Sequence, residues 1–472
     1  MYIPRRVDPP TLPLSTIGHG DSRDDERVPG VVVVFSGGAP SARVITLASG
    51  PVEIGRHDAD AGTIDDGRIS RRHARVAFEA GRCVVTDLGS QNGSFADGEL
   101  AAAHAPTPVQ RVIRIGDSLL VPCADVRPFE RDGVRSVDGF VRGPAMQAVL
   151  EEAARAARSG TTLHIRGESG TGKEGVAQAF HRAGARTAKA LVAVNCAAIP
   201  HAIAERLLFG AKRGAYSGAD ADAAGYLQEA DGGTLFLDEI AELDPQVQAK
   251  LLRVLESKEV LALGASKPRT VDFAFCSATN KNLRTLVDAG TLREDLYFRV
   301  GRPAVTLPAL RNRPEEIPAL IAHELALLSP VPTVHVSLVE QCLLRPWPGN
   351  VRELLAELRI AAQAALASGN RVEARHLSAT AGSVFGSAMP DARPVPPGGH
   401  DAPPSDGPRK RTPQVDVEWR RRIEDALRAN AGNIAATARA LGLHRTQLRR
   451  LIERHGIAAD AVANAGDDEA AD

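Results

Sequence analysis

The sequence predicts a multidomain protein in which a β-rich domain, an α/β domain and a small all-helical module follow one another along the chain. Three observations favour this fold class. Apolar and polar residues alternate over residues 30–130, a glycine-rich phosphate loop lies within an α/β pattern over residues 138–380, and two short helical stretches joined by a glycine occur near the C-terminus. A chain of 472 residues, 43% of them hydrophobic, has the length of about three domains and enough apolar side chains for their cores.

The composition excludes several classes of protein. No apolar run approaches the roughly 18 residues that span a bilayer, and residues 1–29 are polar and proline-rich, without the apolar core of a signal peptide. We therefore expect a cytoplasmic protein that enters no membrane. The five cysteines are scattered, lack Cys-x-x-Cys spacing and lie mostly in apolar segments, so we expect small buried hydrophobic residues. They are Cys83, Cys123, Cys196, Cys276 and Cys342.

The α/β region contains a phosphate loop with the pattern Gly-x-x-x-x-Gly-Lys at residues 167–173, between a predicted strand at 164–166 and a predicted helix around Val176. Such a turn lets backbone N–H groups converge on phosphates, while Lys173 adds a positive charge. A plain tight turn is the alternative, but an acidic motif further along the chain favours binding and hydrolysis of a nucleoside triphosphate. We expect the ATP-binding residues of this loop to be Gly167, Glu168, Ser169, Gly170, Thr171, Gly172, Lys173 and Glu174.

The acidic motif is the pair Asp238 and Glu239, which ends an apolar run. Most phosphate-loop proteins place a Ser or Thr hydroxyl after the lysine to bind Mg²⁺, whereas this chain has Glu174. Metal binding must therefore depend more on Asp238 and water. Glu239 is placed to polarise the attacking water as a general base. The expected cofactors are ATP and Mg²⁺, with Asp238 holding the metal through ATP.

The C-terminal module over residues 409–457 carries twelve Arg or Lys against five acidic residues, which favours nucleic acid as a partner. Helices over 433–441 and 443–451, joined by Gly442, form a helix-turn-helix pattern, although a basic hairpin that only packs on its neighbour is an alternative. The module resembles the Fis-type DNA-binding domain, which is typically dimeric. The residues expected to contact DNA are His444, Arg445, Thr446, Gln447, Arg449 and Arg450.

Beside its phosphate loop, the central region resembles the AAA+ domain of bacterial enhancer-binding proteins, the sigma-54-dependent transcription activators. The shared motifs are Gly-Glu-Ser-Gly-Thr-Gly-Lys-Glu at 167–174, Val-Asn-Cys-Ala-Ala at 194–198, the segment 230–239, and Gln-Ala-Lys-Leu-Leu-Arg-Val-Leu at 248–255. Glu174 is normal within that family. The resemblance implies an α/β AAA+ P-loop ATPase with a helical lid, and sigma-54 RNA polymerase and enhancer DNA as partners.

The resemblance also assigns roles to residues outside the phosphate loop. It implies that Asn195 is a switch that holds Glu239, that Thr279 and Asn280 form sensor I, and that Arg352 is the sensor II arginine on the lid. It further implies that Arg293 and Arg299 are arginine fingers that reach the γ-phosphate of a neighbouring subunit. Turnover would then require a homo-oligomeric ring, expected to be a hexamer, and the expected homo-oligomers range from dimer to hexamer.

The segment Gly-Ala-Tyr-Ser-Gly-Ala stands where the family has Gly-Ala-Phe-Thr-Gly-Ala, the loop that grips sigma-54. Tyr216 keeps an aromatic ring and Ser217 keeps a hydroxyl, so we expect a functional loop. Smaller departures are Leu292, where Phe is usual, and Ala274, where Arg is common. The expected sigma-54 contact loop is Gly214, Ala215, Tyr216, Ser217, Gly218 and Ala219.

The N-terminal region contains, in this order, the motifs Glu-Ile-Gly-Arg at 53–56, Ile-Ser-Arg-Arg-His at 69–73, the segment 87–94 and Ile-Gly-Asp at 115–117. Through these motifs it resembles a forkhead-associated (FHA) domain, a β-sandwich that binds phosphothreonine peptides. A phosphate dianion needs guanidinium and hydroxyl donors, although an ordinary sandwich with turn glycines and exposed arginines is the alternative. The expected peptide-binding residues are Arg56, Ser70 and Arg71 for the phosphate, with Gln91 and Asn92 for the peptide backbone, while His73 braces the loop.

Together these expectations describe a phosphothreonine-gated, ATP-driven activator of sigma-54 RNA polymerase that is controlled by a Ser/Thr kinase. One alternative is a DNA-binding ATPase regulator that never engages sigma-54, and another is a phosphoprotein-binding scaffold with a vestigial ATPase. The expected boundaries are a disordered segment over 1–29, an FHA domain over 30–130, an AAA+ α/β subdomain over 138–305, a lid over 306–380, a Pro-rich linker over 381–412, a helix-turn-helix domain over 413–458 and an acidic tail over 459–472.

Overall fold

The computed structural model describes residues 27–56, 62–216, 220–366 and 369–384, together with residues 426, 427 and 437. The described residues up to 384 belong to one compact unit, and the remaining three belong to a second unit. In the second unit Leu427 and Thr437 are buried. Residues 381–384 of the predicted linker are described, and Ala381 is buried in a hydrophobic core, so the predicted start of the linker at 381 is too early. The rest of the predicted linker, most of the helix-turn-helix module and the acidic tail lie outside the described residues.

The first part of the chain is a β-sandwich of two antiparallel sheets. The strands are β1 Gly30–Ser36, β2 Ala39–Thr46, β3 Val52–Ile54, β4 Ala74–Glu79, β5 Arg82–Asp87, β6 Ser94–Ala96, β7 Glu99–Leu100, β8 Thr107–Val109, β9 Ile113–Ile115 and β10 Ser118–Cys123. One sheet has the order β2-β1-β10-β9-β6-β7 and the other the order β3-β4-β5-β8. Inward side chains such as Ile54, Val76 and Ile113 fill the space between the sheets. The alternating pattern of the sequence therefore predicted this domain correctly.

A short helix and a hairpin lead into an α/β layer. Its elements are α1 Arg127–Asp132, β11 Arg135–Val137, β12 Phe140–Arg142, α2 Pro144–Arg158, β13 Leu163–Arg166, α3 Lys173–Ala183, β14 Leu191–Asn195, α4 His201–Phe209, α5 Tyr226–Glu229, β15 Thr234–Asp238, α6 Pro245–Ser257, β16 Glu259–Val260, β17 Arg269–Thr270, β18 Ala274–Thr279, α7 Leu283–Asp288, α8 Glu294–Val300 and β19 Ala304–Thr306. The main sheet is parallel, with the order β14-β15-β18-β13-β19. Most residues of its strands are apolar because helices cover both faces.

The strand order decides where the functional residues meet. Strand β13 leads into the phosphate loop, β15 ends in the acidic pair and β18 ends at Thr279. These three strands are neighbours, with β18 between β13 and β15. The carboxyl ends of parallel strands lie at one edge of the sheet, so the three motifs converge there although they are far apart in sequence.

A helical lid follows the parallel sheet. Its elements are α9 Ile317–Leu325, α10 Val336–Leu344 and α11 Asn350–Leu366, with a small parallel pair β20 Thr333–Val334 and β21 Arg371–Val372. Buried side chains of the three helices form a core that includes Ile321, Val339 and Leu358. The same core contains side chains from the outer face of the sandwich. No helix among the described residues is long and apolar enough to cross a bilayer.

Candidate functional site

The phosphate loop is held in its conformation by glycines and by the lid. Gly170 and Gly172 have φ angles of 76° and 104°, values that side-chain-bearing residues rarely adopt. A Cβ atom on Gly170 would lie 2.2 Å from the carbonyl oxygen of Gly349, so the lid approaches the loop too closely for any other residue. Helix α3 begins at Lys173, which directs its free N–H groups toward the loop. The loop therefore has the conformation that the predicted nucleotide cradle requires.

The predicted general base, Glu239, faces the phosphate-loop lysine. Lys173 Nζ donates to Glu239 Oε1 at 2.9 Å, and Lys173 is almost fully buried. Glu239 Oε2 accepts hydrogen bonds from Thr279 Oγ1 and from the Asn280 backbone N–H, both at 3.1 Å. Burial acts to raise the pKa of Glu239, but these hydrogen bonds outweigh it, so the pKa is lowered and the carboxylate is ionised. The sequence-predicted sensor I residues thus contact the predicted general base directly.

The neighbouring carboxylate, Asp238, has a different environment. Within the part of the chain that the structure describes, it accepts one hydrogen bond, from the backbone N–H of Glu239 at 3.0 Å. Burial raises its pKa, which means that the charged form lacks full compensation from the residues around it. A divalent cation next to Asp238 would supply that compensation. The donor set therefore fits the predicted Mg²⁺ ligand.

Asn195 lies beside the acidic pair but does not hold Glu239. Strand β14 pairs with β15 so that Asn195 is opposite Asp238. The Asn195 Oδ1 atom, however, accepts from the Ala197 backbone N–H at 3.0 Å and caps a short 3₁₀ turn. Among the described residues, the side chains bonded to Glu239 are those of Lys173 and Thr279. The expected switch contact is thus not formed here, because the short side chain is used for local capping.

The lid contacts the phosphate loop through several side chains that sequence reasoning did not single out. Asn350 is fully buried and its amide donates to Glu168 Oε2 and to the Ser169 carbonyl, while its Oδ1 accepts from the Leu310 N–H at 2.8 Å. Arg311 forms a two-pronged ion pair with Glu168, which lowers the pKa of that carboxyl. In the sequence, Asn350 ends the segment Trp-Pro-Gly-Asn at 347–350, two residues before the predicted sensor II arginine, Arg352.

Two further arginines complete this contact. The predicted sensor II residue, Arg352, donates from Nη1 to Ser169 Oγ at 2.9 Å. The fully buried Arg313 donates to the carbonyl of Thr171 at 2.7 Å and to Glu316 at 2.6 Å. The phosphate loop is therefore hydrogen-bonded to Arg352 in the lid through Ser169, and to Arg313 in the segment before the lid helices through Thr171.

The predicted arginine fingers lie on the surface. Arg293 pairs with Asp295 in the same chain at 2.7 Å, and Arg299 donates to the carbonyl of Leu255. Neither side chain is bonded to the phosphate loop or the acidic pair among the described residues. The fully buried Gln248 holds the segment in place, since its amide group bonds to two backbone carbonyls and accepts from the Arg293 N–H.

Half of the predicted sigma-54 contact loop is described, and Ser217, Gly218 and Ala219 lie outside the described residues. The base of the loop is closed by backbone pairing of Ala211 with Ala223 and by an ion pair of Lys212 with Asp222. The hydroxyl of Tyr216 accepts a hydrogen bond from Arg206 Nη1 of α4 at 2.9 Å. A phenylalanine at this position could not make that bond.

The predicted phosphopeptide residues are brought together on two loops at one end of the sandwich. The N–H of Gln91 donates to Ser70 Oγ at 3.2 Å, and the Asn92 amide donates to the carbonyl of Arg68 at 2.7 Å. Arg56 lies on the same side and donates to the carbonyl of Gly67. Arg71 is exposed next to Ser70.

His73 braces these loops, as the sequence predicted. Its ring is fully buried, accepts from the Ser70 N–H at Nδ1 and bonds to the Gly93 carbonyl through Nε2. Burial lowers the pKa of His73, which agrees with a neutral ring that accepts at one nitrogen and donates at the other. Gly55 allows the loops to meet, because a Cβ atom there would lie 1.8 Å from the Arg71 carbonyl oxygen.

The remaining predicted residues and the cysteines can be stated briefly. His444, Arg445, Thr446, Gln447, Arg449 and Arg450 lie outside the described residues. Four cysteines are buried and Cys123 is half-buried, in agreement with the expectation from sequence. Burial raises the pKa of the Cys196 thiol to about 12, so it stays neutral beside the acidic pair.

The fold and the ATP site define a P-loop ATPase of the AAA+ class joined to an FHA-type β-sandwich. Comparison with protein families agrees: residues 140–306 match the sigma-54 interaction domain, residues 52–116 the FHA domain, and residues 416–455 the bacterial regulatory protein, Fis family.

Individual proteins give the same result. The chain is 37% identical over 318 residues to the transcriptional regulatory protein ZraR of Escherichia coli K12, which covers 66% of this chain and 68% of ZraR. It is 38% identical over 325 residues to the hydrogenase transcriptional regulatory protein HoxA of Bradyrhizobium diazoefficiens, covering 68% of this chain and 64% of HoxA. The chain therefore belongs to the family of sigma-54-dependent transcriptional regulators, and it matches about two thirds of the length of these relatives.

A solved structure is also similar. The crystal structure of NtrX from Brucella abortus has 28% sequence identity and a TM-score of 0.49, and the match covers 66% of this chain and 68% of that one.

Proposed function

We propose that this protein is an ATP-driven activator that remodels sigma-54 RNA polymerase through the loop 214–219. The observation that carries the proposal is the arrangement of Glu239, which is ionised, is held by sensor I and faces the phosphate-loop lysine. A carboxylate in this position can accept a proton from an attacking water. An ATPase site that had lost its function would not be expected to retain this arrangement, which argues against a scaffold with a vestigial site.

The ion pair between Lys173 and Glu239 must change during turnover. Lys173 is the residue that binds the β- and γ-phosphates in this type of loop. When Lys173 binds the triphosphate in place of Glu239, the carboxylate keeps its hydrogen bonds to Thr279 and Asn280. Its other oxygen is then available to orient water. Mg²⁺ held through Asp238 would neutralise charge that develops on the phosphate oxygens.

Completion of the site requires a neighbouring subunit. Arg293 and Arg299 are exposed on the segment around α8, where, among the residues that the structure describes, they bond to Asp295 and to the Leu255 carbonyl and not to the ATP site of their own chain. A second copy that places this segment against the γ-phosphate would supply the missing positive charge. We therefore infer a homo-oligomeric ring, a hexamer in the active state, with Gln248 fixing the position of the arginine segment.

Regulation and DNA binding complete the proposal. The loops that carry Arg56, Ser70 and Arg71 offer a guanidinium, a hydroxyl and backbone donors to a phosphothreonine peptide, which links the protein to a Ser/Thr kinase. The Fis-type module would anchor the ring to enhancer DNA through the segment 444–450.

A second candidate function is a DNA-bound ATPase that does not engage sigma-54. The observation that favours it is the bond between Tyr216 and Arg206, which ties the aromatic residue of the loop to α4. A phenylalanine would lack this hydrogen bond and would keep only the contact of its ring face with the Arg206 guanidinium, which lies 5.8 Å from the ring centre of Tyr216.

The deciding experiment mixes the full-length protein with purified sigma-54, ADP and aluminium fluoride, and looks for a trapped complex on a native gel. If the protein is an activator, a stable complex should form, and it should be lost in Tyr216→Ala but retained in Leu261→Ala. Leu261 serves as the control because it is another exposed apolar side chain, outside the loop. If the protein hydrolyses ATP and no complex forms, the second candidate replaces the first.

A further inference from the structure

The outer face of the FHA sandwich is part of the core of the lid. In β1, Val33 belongs to the core of the sandwich, whereas its neighbours Val32 and Val34 belong to the apolar cluster formed by the lid helices. Leu119 and Val121 of β10 belong to the same cluster. An antiparallel sheet usually has one apolar face and one solvated face. Strands β1 and β10 of this sheet are instead buried on both faces, one against the sandwich core and the other against the lid. We call this contact between the sandwich and the lid the joint.

A polar contact between the sandwich and the lid lies within this otherwise apolar joint. Arg114 of β9 lies 3.6 Å from the ring centre of Phe95 and donates from Nε to Glu340 Oε2 of α10 at 2.9 Å. Glu340 is only 7% exposed, so the carboxylate depends on Arg114 for its charge compensation. Arg111 adds a hydrogen bond to the carbonyl of Leu344, at the end of α10. We call Phe95, Arg114 and Glu340 the bridge.

The bridge begins where the peptide-binding loop ends. The side chain of Asp87 accepts the N–H groups of Gly89 and Ser90 through one oxygen, and the hydroxyls of Ser90 and Ser94 through the other. Phe95 follows Ser94 directly and pairs with Arg114 in the neighbouring strand. The loop that carries the predicted peptide contacts is therefore followed directly in the chain by Phe95, the first residue of the bridge.

The other end of the bridge leads to the phosphate loop. Helix α10 is tied to the following turn by a hydrogen bond of 2.7 Å from Trp347 Nε1 to the carbonyl of Cys342, and Trp347 is fully buried. The Trp347 carbonyl accepts from the Asn350 N–H, the first residue of α11. The next residue, Val351, donates its backbone N–H to the carbonyl of Gly170. The bridge, helix α10 and the hydrogen bonds of the turn before α11 thus connect the peptide loop to the phosphate loop.

We propose that occupancy of the phosphothreonine site changes the affinity of the ATP site through this rigid joint, with the bridge as its polar element. The inference rests on the proposed phosphothreonine recognition. In this view, the FHA domain is not carried on a flexible linker but is packed directly against the lid. Because coupling between two binding sites is reciprocal, nucleotide must change the affinity for the phosphopeptide by the same factor.

The test uses the full-length protein and a pool of degenerate nonapeptides with a central phosphothreonine, beside the same pool without phosphate. Direct binding of the fluorescently labelled pool is measured by anisotropy, and the Kd of a fluorescent ATP analogue is measured with and without saturating pool. We expect the phosphorylated pool to shift the nucleotide Kd by about 5-fold or more, in either direction, and the unphosphorylated pool to have no effect. The nucleotide should shift the Kd of the pool by an equal factor.

Two variants of the bridge and one control locate the coupling. Glu340→Gln keeps the shape of the side chain but removes its charge, and it should retain each separate affinity while the shift falls toward 1. Arg114→Lys keeps the charge but loses the planar contact with Phe95, so it should reduce the shift in part. The control is Glu324→Gln, which removes an equally buried carboxylate that pairs with Arg359 inside the lid, and it should leave the shift unchanged.

The outcomes separate the two levels of the proposal. If the phosphorylated pool binds and the nucleotide Kd stays constant, the joint does not transmit and the inference is overturned, while phosphothreonine recognition stands. If both bridge variants keep the full shift, the bridge is not the route. If the phosphorylated pool binds no better than the unphosphorylated one, phosphothreonine recognition itself fails, and the inference fails with it.

Discussion

Replacement of Asn350 by alanine tests whether the lid fixes the phosphate loop. Asn350 is fully buried, with a φ angle of 53°, and it bonds to Leu310, Ser169 and Glu168. Alanine would leave the Leu310 N–H and the Ser169 carbonyl without these partners. It would also have to adopt a left-handed backbone conformation.

The cost can be estimated from these contacts. A buried N–H left without a partner costs about 1–3 kcal/mol, the lost bond to the carbonyl about 1 kcal/mol, and the left-handed conformation about 1–2 kcal/mol. Asn350→Ala should therefore lower the free energy of unfolding by about 4 kcal/mol. Asn370 provides a matched control, because its φ angle is 55° and its amide bonds to one carbonyl near the surface. The backbone strain cancels between the two variants, so about 3 kcal/mol should remain.

The assay is urea unfolding followed by tryptophan fluorescence in a Trp419→Phe background, so that the buried Trp347 reports on the lid. With a denaturant slope of about 1–3 kcal/mol/M, the midpoint of Asn350→Ala should lie about 1 M or more below that of Asn370→Ala. Equal midpoints for the two variants would refute the reasoning. They would show that the bonds between lid and phosphate loop add nothing beyond the turn geometry.

Four further results are expected. Tyr216→Phe removes the bond from Arg206, worth about 1 kcal/mol, so the trapped sigma-54 complex should form with about 5-fold higher affinity, and weaker binding would contradict a restraining role. Glu239→Gln should bind ATP yet lose hydrolysis, as measured by nucleotide Kd and phosphate release, and substantial turnover would exclude the assigned base. His73 has a lowered pKa in the folded protein, so protonation favours the unfolded state and stability should fall as the pH drops below about 6.5; His73→Gln should flatten this trend in urea midpoints, and an unchanged slope would place the titration elsewhere. Deletion of residues 27–132 should make the lid bind an apolar dye or aggregate, whereas a soluble, dye-free protein would argue against the shared core.

Much of the site could be predicted from the sequence because its chemistry is local. The phosphate loop depends on glycines at fixed positions and on a lysine at a helix start, and Glu239 follows directly from the end of a buried strand. The bracing role of His73 could be predicted for the same reason, since it bonds to the Ser70 N–H only three residues away. In each case the interacting groups are close in the sequence or lie in a recognisable motif.

The remaining features depend on side chains that meet across the fold. Asn195 was expected to hold Glu239, but the pairing of their strands leaves its side chain closer to a local N–H group. Arg114 and Glu340 are 226 positions apart, and nothing in their local sequence indicates that they meet. The only sequence sign of the joint was the run of valines in β1, which lacks the alternation of a sheet with one solvated face.

This double burial changes how the regulation of the ATPase must be viewed. A regulatory domain on a flexible linker can act by blocking a surface or by changing the local concentration of a partner. A domain whose outer face belongs to the lid core moves with the lid, because packed interiors transmit displacement instead of absorbing it. The lid in turn touches the phosphate loop through Asn350, Arg352 and the backbone of Val351. Any phosphothreonine signal that reorders the peptide loops therefore acts on a body that already contacts the nucleotide site, and it needs no separate docking step.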